Sequence, residues 1–329
     1  MFLTEANVLD YLTGRGFAGP EFVVRGEWTV RNLSRRNRNF RVTRGGREFL
    51  VKQAGTWDLP GRASIEREAD LCRRAATDPC FGALRPLVPD VYSYDPDHSI
   101  LIFEFLPDEA SLSDVPERLD ARTARLAGEL MADYHRQMQS AALAEHFPGS
   151  LPGYFSMHRW DSERLVTRSQ GQRELVRLVK RHAAFAPALE SAAAEWRPGA
   201  LIHGDWKLEN CLISNDGARM HVVDWELAGW GDARWDVATL LQSWWKRWVR
   251  DPAEYRLEAM RPELRALLNP SEDEVAAILR FAAVRMLQSA WESLQDIPAI
   301  HGEAVRMAQV SLNILTNPEW AGEAVFGHD

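Results

Sequence analysis

The sequence predicts an α+β chain in two lobes, a small antiparallel sheet carrying one helix followed by a larger, mostly α-helical region. Three observations predict it. Strand-length apolar runs separated by turn signals fill residues 1–106, and helical periodicities dominate residues 107–329. Within the helical region a single passage, Leu201 to Ala228, reads as strand, loop and strand. That passage also concentrates histidine, aspartate and asparagine.

The elements follow in order. Asn7 to Gly14 predicts a short helix. Phe22 to Val30 and Asn39 to Thr43 predict strands, and Gly45-Gly46 predicts a tight hairpin into Glu48 to Gln53. In that third strand Phe49 and Val51 share one face, while Leu50 and Lys52 take the other. Ser64 is placed to cap a helix running to Ala76, with Ile65, Ala69 and Cys72 on one side. Val91 to Tyr94 and Ser99 to Phe105 form a further hairpin around Asp95-Pro96-Asp97. Beyond Pro107, helices are expected over Ala121 to Ala144, Glu174 to Ala184, Pro187 to Trp196 and Ala233 to Val249. Ala253 to Leu268, Glu272 to Leu294 and Gly302 to Thr316 complete the set.

Composition narrows the function. With 46% hydrophobic and 26% charged residues the chain is expected to be globular rather than disordered. A net charge of −8 argues against nucleic acid as a partner. No apolar run approaches the length that spans a bilayer, and the first residues lack a secretory pattern, so no membrane partner and a cytoplasmic location are expected. Three cysteines, Cys72, Cys80 and Cys211, have no metal-ligand spacing and read as reduced thiols.

The chemistry sits in His203-Gly204-Asp205-Trp206-Lys207-Leu208-Glu209-Asn210 and Asp224-Trp225-Glu226. A carboxylate can take a proton from a hydroxyl. An amide oxygen can ligate a hard cation without adding charge, and a second carboxylate binds that cation firmly. Asp205, Asn210 and Asp224 in this order therefore imply phosphoryl transfer with a magnesium-bound nucleotide. Read alone, Asp205 and Asn210 would be ordinary turn residues, and Lys52 a solvated lysine on a strand.

Together these motifs resemble the aminoglycoside phosphotransferase and choline kinase branch of the protein-kinase-like superfamily, over roughly Val24 to Leu240. The resemblance implies a bilobal kinase-like fold, an ATP-binding cleft between the lobes and Mg2+ as cofactor. It implies that Asp205 is the catalytic base and that Asn210 and Asp224 are the metal ligands. Lys52 would contact the α- and β-phosphates and be held by Glu68, with Glu66 the weaker choice. Glu104 and Leu106 would lie in the hinge that hydrogen-bonds adenine, and His203 and Asp236 would brace the loop. Lys207 stands where protein kinases neutralise the transferring phosphoryl group, which leans towards protein or peptide acceptors.

Two departures stand out. The loop Asn32 to Asn39, expected to cover the nucleotide, lacks glycine and instead carries Arg35, Arg36 and Arg38. It reads either as a solvated hairpin tip or as a clamp on triphosphate, with Arg35 and Arg36 counted among the nucleotide-binding candidates. Trp225, Trp230, Trp235, Trp244, Trp245 and Trp248 follow the second acid motif closely. Most read as core, but neighbouring Trp244 and Trp245 cannot face the same way, so one is expected at an acceptor groove or a partner surface. The acceptor stays open between a small hydroxylated metabolite or antibiotic and a serine or threonine of a peptide. The second case would bring a precursor peptide and a lyase as partners. A pseudokinase scaffold is the third reading.

Overall fold

A computed structural model of the chain describes residues 1–17, 19, 26, 28–34, 37–55, 59–162, 165, 168–267 and 272–326. In chain order the strands are β1 (Trp28–Asn32), β2 (Arg38–Arg44), β3 (Arg47–Gln53), β4 (Val91–Asp95), β5 (Ile100–Glu104), β6 (Glu109–Ser111), β7 (Ala200–Ile202), β8 (Cys211–Ser214), β9 (Met220–Val222) and β10 (Gly229–Gly231). The helices are α1 (Val8–Gly14), α2 (Leu59–Thr77), α3 (Ala121–Gln137), α4 (Ala142–His146), α5 (Gln170–Arg181), α6 (Phe185–Ala194), α7 (Arg234–Arg250), α8 (Arg261–Leu267), α9 (Glu272–Ser293), α10 (Gly302–Thr316) and α11 (Pro318–Phe326). The chain forms two compact units, Met1–Ser111 with Asn210–Ala228, and Leu112–Glu209 with Gly229–Asp329.

The first unit is built on an antiparallel sheet of order β1-β2-β3-β5-β4. Gly45 and Gly46, both at positive φ, make the turn between β2 and β3 without steric penalty. Phe40, Val42, Phe49, Val51, Ile100 and Ile102 alternate along three strands and form one apolar face, which α1 covers with Val8, Tyr11 and Leu12. The pleat sends Lys52 to the opposite face. There α2 follows β3, and it starts at Leu59-Pro60 rather than at Ser64, because proline in the first turn needs no hydrogen-bonding N–H. Ser64 lies inside the helix, and its hydroxyl donates to the Gly61 carbonyl at 2.8 Å. A second, three-stranded sheet, β6-β8-β9, also belongs to this unit. Through it residues 107–111 and 210–228 join the first 106, so the unit is discontinuous in sequence where a single break after Leu106 was expected.

The second unit is mostly helical. Asp120 caps α3 by accepting the Thr123 N–H, and Ser169 with Gln172 forms a capping box at α5. The helix expected through Ala144 stops at Gln137, since the Met138 carbonyl accepts the Leu201 N–H of β7 at 2.9 Å. The helix expected over 253–268 is a 3-10 turn, Leu257–Met260, followed by α8. Pro262 explains the break: it has no N–H to give and would clash inside a continuous helix. Leu268 and the strand residues expected at 22–25 lie outside the described residues. Helix α11 and strands β6, β7 and β10 were not expected. Among the described residues no helix is long and apolar enough to cross a membrane.

Trp225, Trp235, Trp244 and Trp245 are all buried, and the last two are each 2% exposed. Neither of that pair reaches a surface, so the expected groove or partner role finds no support. Adjacent helix positions point in different directions, but α7 is enclosed widely enough to bury both.

Candidate functional site

In the first unit, Lys52 is 4% exposed and sits among three carboxylates. Its Nζ lies 2.7 Å from Glu68 Oε2 and 3.3 Å from Glu226 Oε2, and it is bonded to Asp224 Oδ1. Glu68 comes from α2, and its second oxygen accepts the Trp225 N–H at 3.1 Å. One glutamate thus fixes the lysine and the acid segment together.

The β8–β9 hairpin places the remaining acid-segment residues. Cys211 pairs with Val222, and at the next step the Val223 N–H donates to the Asn210 carbonyl at 3.0 Å. Asn210 and Asp224 are thereby carried to the same end of the hairpin. Asp224 holds a left-handed backbone, φ 70° and ψ 51°, at a cost of about 1–3 kcal/mol for a non-glycine residue. Strain of this kind at a carboxylate is typical of functional sites.

Three carboxylates share one ammonium, and the electrostatics follow. Burial works against the charge of Lys52, but Glu68, Asp224 and Glu226 outweigh it and hold its pKa well above the ordinary value. Glu68 is the most deeply enclosed of these three acids. Burial, helped by Asp224 and Glu226 and opposed by Lys52, leaves its pKa raised to about 7. The facing oxygens of Glu68, Asp224 and Glu226 lie within 4.8 Å of one another. Hard oxygen donors with excess negative charge suit magnesium.

The expected hinge residues lie at the end of β5. The Glu104 N–H donates to the Asp90 carbonyl at 2.8 Å, and the Leu106 carbonyl accepts the Glu109 N–H at 3.3 Å. Of the arginine cluster, Arg35 and Arg36 lie outside the described residues. Arg38 donates to the Leu3 carbonyl, Arg41 grips Glu48 through both its oxygens, and Arg44 donates to the Phe17 carbonyl. These three serve local structure. Asn37, in the same loop, donates to Glu226 Oε2 at 2.7 Å.

In the second unit, β7 delivers the chain into the loop that begins at His203. Asp236, fully buried in the first turn of α7, accepts the His203 and Gly204 N–H groups at 2.8 Å each. Its Oδ2 also lies 2.9 Å from His135 Nε2. His203 Nδ1 accepts the Asp205 N–H at 3.1 Å, and the Trp235 indole donates to the Gly204 carbonyl. Gly204 has φ 82°, a turn that a side chain would strain.

The loop holds Asp205 with both oxygens engaged. Lys207 pairs with Oδ2 and Arg285 with Oδ1. Arg285, in the middle of α9, also lies 3.3 Å from Glu292 Oε1. Burial disfavours the charge on Lys207, but Asp205 more than compensates and its pKa rises. Burial likewise opposes ionisation of Glu292, which Arg285 and Lys207 reverse, holding it below the usual carboxylate range. Tyr154 belongs to the same group: burial first, then Glu292, pushes its phenol up to about 12.

Sequence reasoning named Lys52, Glu68, Asn210 and Asp224 in the first unit, and His203, Asp205, Lys207 and Asp236 in the second. It quoted Glu226 only as part of the acid motif, and it gave no site role to Asn37, Arg285 or Glu292. Glu226 could have been found from its place two residues beyond Asp224. Nothing local marks Arg285, one arginine in an apolar helix.

The family model described as "Phosphotransferase enzyme family" matches residues 27–277. No curated protein matches the chain in sequence. Among solved structures, an ethanolamine kinase of Plasmodium vivax has a TM-score of 0.64 at 13% identity, covering 98% of this chain and 92% of its own. A choline/ethanolamine kinase family protein of Mesorhizobium loti has a TM-score of 0.57 at 21% identity, covering 97% and 99%. An aminoglycoside phosphotransferase of Streptomyces rimosus has a TM-score of 0.53 at 18% identity, covering 85% and 98%. At such identities the likeness is one of fold.

Proposed function

The chain belongs to the phosphotransferase enzyme family, a kinase acting on hydroxyl acceptors, and from that premise we propose that it moves the γ-phosphate of ATP to a small hydroxylated molecule. The observation that carries this reading is the cluster around Lys52. An ammonium held by a glutamate and facing a strained aspartate suits nucleotide phosphates accompanied by a divalent cation.

In this mechanism Lys52 holds the α- and β-phosphates. Asn210 and Asp224 would hold magnesium, with Glu226 as a further oxygen donor. When bound, the ion would neutralise phosphate charge. Asp205 takes the proton of the acceptor hydroxyl as its oxygen bonds to the γ-phosphorus, and the bond to the β-bridging oxygen breaks to release ADP. Lys207 leaves Asp205 to neutralise the phosphoryl group in flight. Glu104 and Leu106 offer backbone groups to adenine, and Arg35 and Arg36 remain candidates for the triphosphate.

Charge favours one acceptor class. Among the described residues, Asp205 and Glu292 are matched by Lys207 and Arg285, so the loop presents no surplus acid to a polycation. This supports an acceptor of low charge over a polycationic antibiotic. The Lys207–Asp205 pair also keeps a second reading, a serine or threonine of a peptide, with a precursor peptide and a lyase as partners. Family membership, with Lys52, Asp205, Asn210 and Asp224 all present in the sequence, counts against a non-catalytic scaffold. The net charge of −8 speaks against nucleic acid, and reliance on ATP supports a cytoplasmic location.

A transfer screen with γ-labelled ATP against small alcohols, aminoglycosides and serine- or threonine-containing peptides tests this. Label on a low-charge small alcohol is the expected outcome. Label only on peptide would replace it with the second reading.

A further inference from the structure

Arg285 is the least expected residue of the second unit. Its side chain is 2% exposed, in the middle of a helix whose neighbours Phe281, Val284 and Leu287 are fully buried. An arginine cannot shed its proton there, so it persists only where carboxylates meet it. Two do: Asp205 through Oδ1, and Glu292, one further span along the same helix.

Asp205 must have an oxygen to offer if it is to take a proton, yet cations engage both. They are not equivalent. Arg285 is enclosed by packed side chains and anchored a second time at Glu292. Lys207 is about a quarter exposed, on a flexible four-carbon stem within the loop itself. One cation is fixed and the other can move.

The geometry points to Arg285 as a positioning residue that pins Asp205 Oδ1 and so assigns Oδ2, once Lys207 departs, as the oxygen that receives the acceptor proton. This rests on the phosphotransfer reading above. Arg285 acts through Asp205. Glu292 keeps the guanidinium plane in register while Lys207 is away.

The test is a double-variant cycle on the full-length protein: Arg285→Ala, Asp205→Asn and both together, assayed for turnover of labelled ATP with the best acceptor and with water alone. Arg285→Ala should lose on the order of 100-fold in kcat, the scale of a misplaced reacting group, with little change in the KM for ATP. In the Asp205→Asn background the same change should cost nothing more. Guanidinium ion added to Arg285→Ala should return some of the lost rate, and Arg285→Lys should keep more activity than Arg285→Ala. Additive losses in the cycle, or a loss in ATP KM equal to that in kcat, would overturn the assignment in favour of a packing role. If the wild-type protein turned over no ATP, the phosphotransfer reading would fail instead. The same cycle in urea melts then decides the pairing: non-additive midpoint shifts uphold the Asp205–Arg285 contact, and additive shifts refute it.

Discussion

Around Lys52 three carboxylates share one ammonium, whereas around Asp205 two cations answer two carboxylates. The first group is short of positive charge, and the second is balanced. Burial first, and then the surplus negative charge of Asp224 and Glu226, drives Glu68 up to about 7, while the same carboxylates hold Lys52 well above its ordinary pKa. A balanced group carries no such surplus at rest and offers no oxygen until a partner moves. Under the proposed function the two groups would have separate tasks, one to receive a metal-bound polyphosphate and the other a neutral hydroxyl.

The comparison can be broken at its strongest point first. Asp205→Ala should lower kcat by roughly 10²–10⁴ if the carboxylate takes the acceptor proton, as read by single-turnover label transfer. Full activity in that variant would remove Asp205 from the chemistry. Lys207→Met comes next, with an expected loss of about 10–100-fold in kcat, the worth of one charge-assisted hydrogen bond of about 1.5–3 kcal/mol. Steady-state kinetics should show the loss in kcat rather than in the KM for ATP. A loss confined to KM would make Lys207 a binding residue.

The smallest effect concerns pH. Glu68 has an ordinary value near 4.5 in the unfolded chain and about 7 when folded. Between those values the folded protein holds a proton that the unfolded chain has lost, so metal-free stability should fall as pH rises through this window. Glu68→Gln should flatten that slope in urea melts without magnesium. An unchanged slope would show that the surplus charge around Lys52 does not fall on Glu68.

How much of this was legible in the sequence depended on range. Lys52 and Glu68 were within reach only through the resemblance, which implies a lysine on the third strand held by a glutamate on the helix that follows, 16 positions on. Asn210 and Asp224 flank a hairpin whose register is nearly determined by the Asn215-Asp216-Gly217 turn. Arg285 was out of reach, since 80 positions and several helices intervene before Asp205 and nothing in its own helix announces a partner. Pro262 was a readable signal, and a helix drawn through it ignored the missing N–H. Burial of both Trp244 and Trp245 was not readable, because a helix enclosed on most of its circumference has no polar face to reveal which side is covered.

The most direct measurement is calorimetric titration of the protein with ATP, with and without magnesium, in wild type and in Asp224→Ala. The charge deficit around Lys52 predicts ATP binding that requires magnesium in the wild type and is lost in the variant. Equal ATP affinity with and without the metal, unaffected by the substitution, would contradict it.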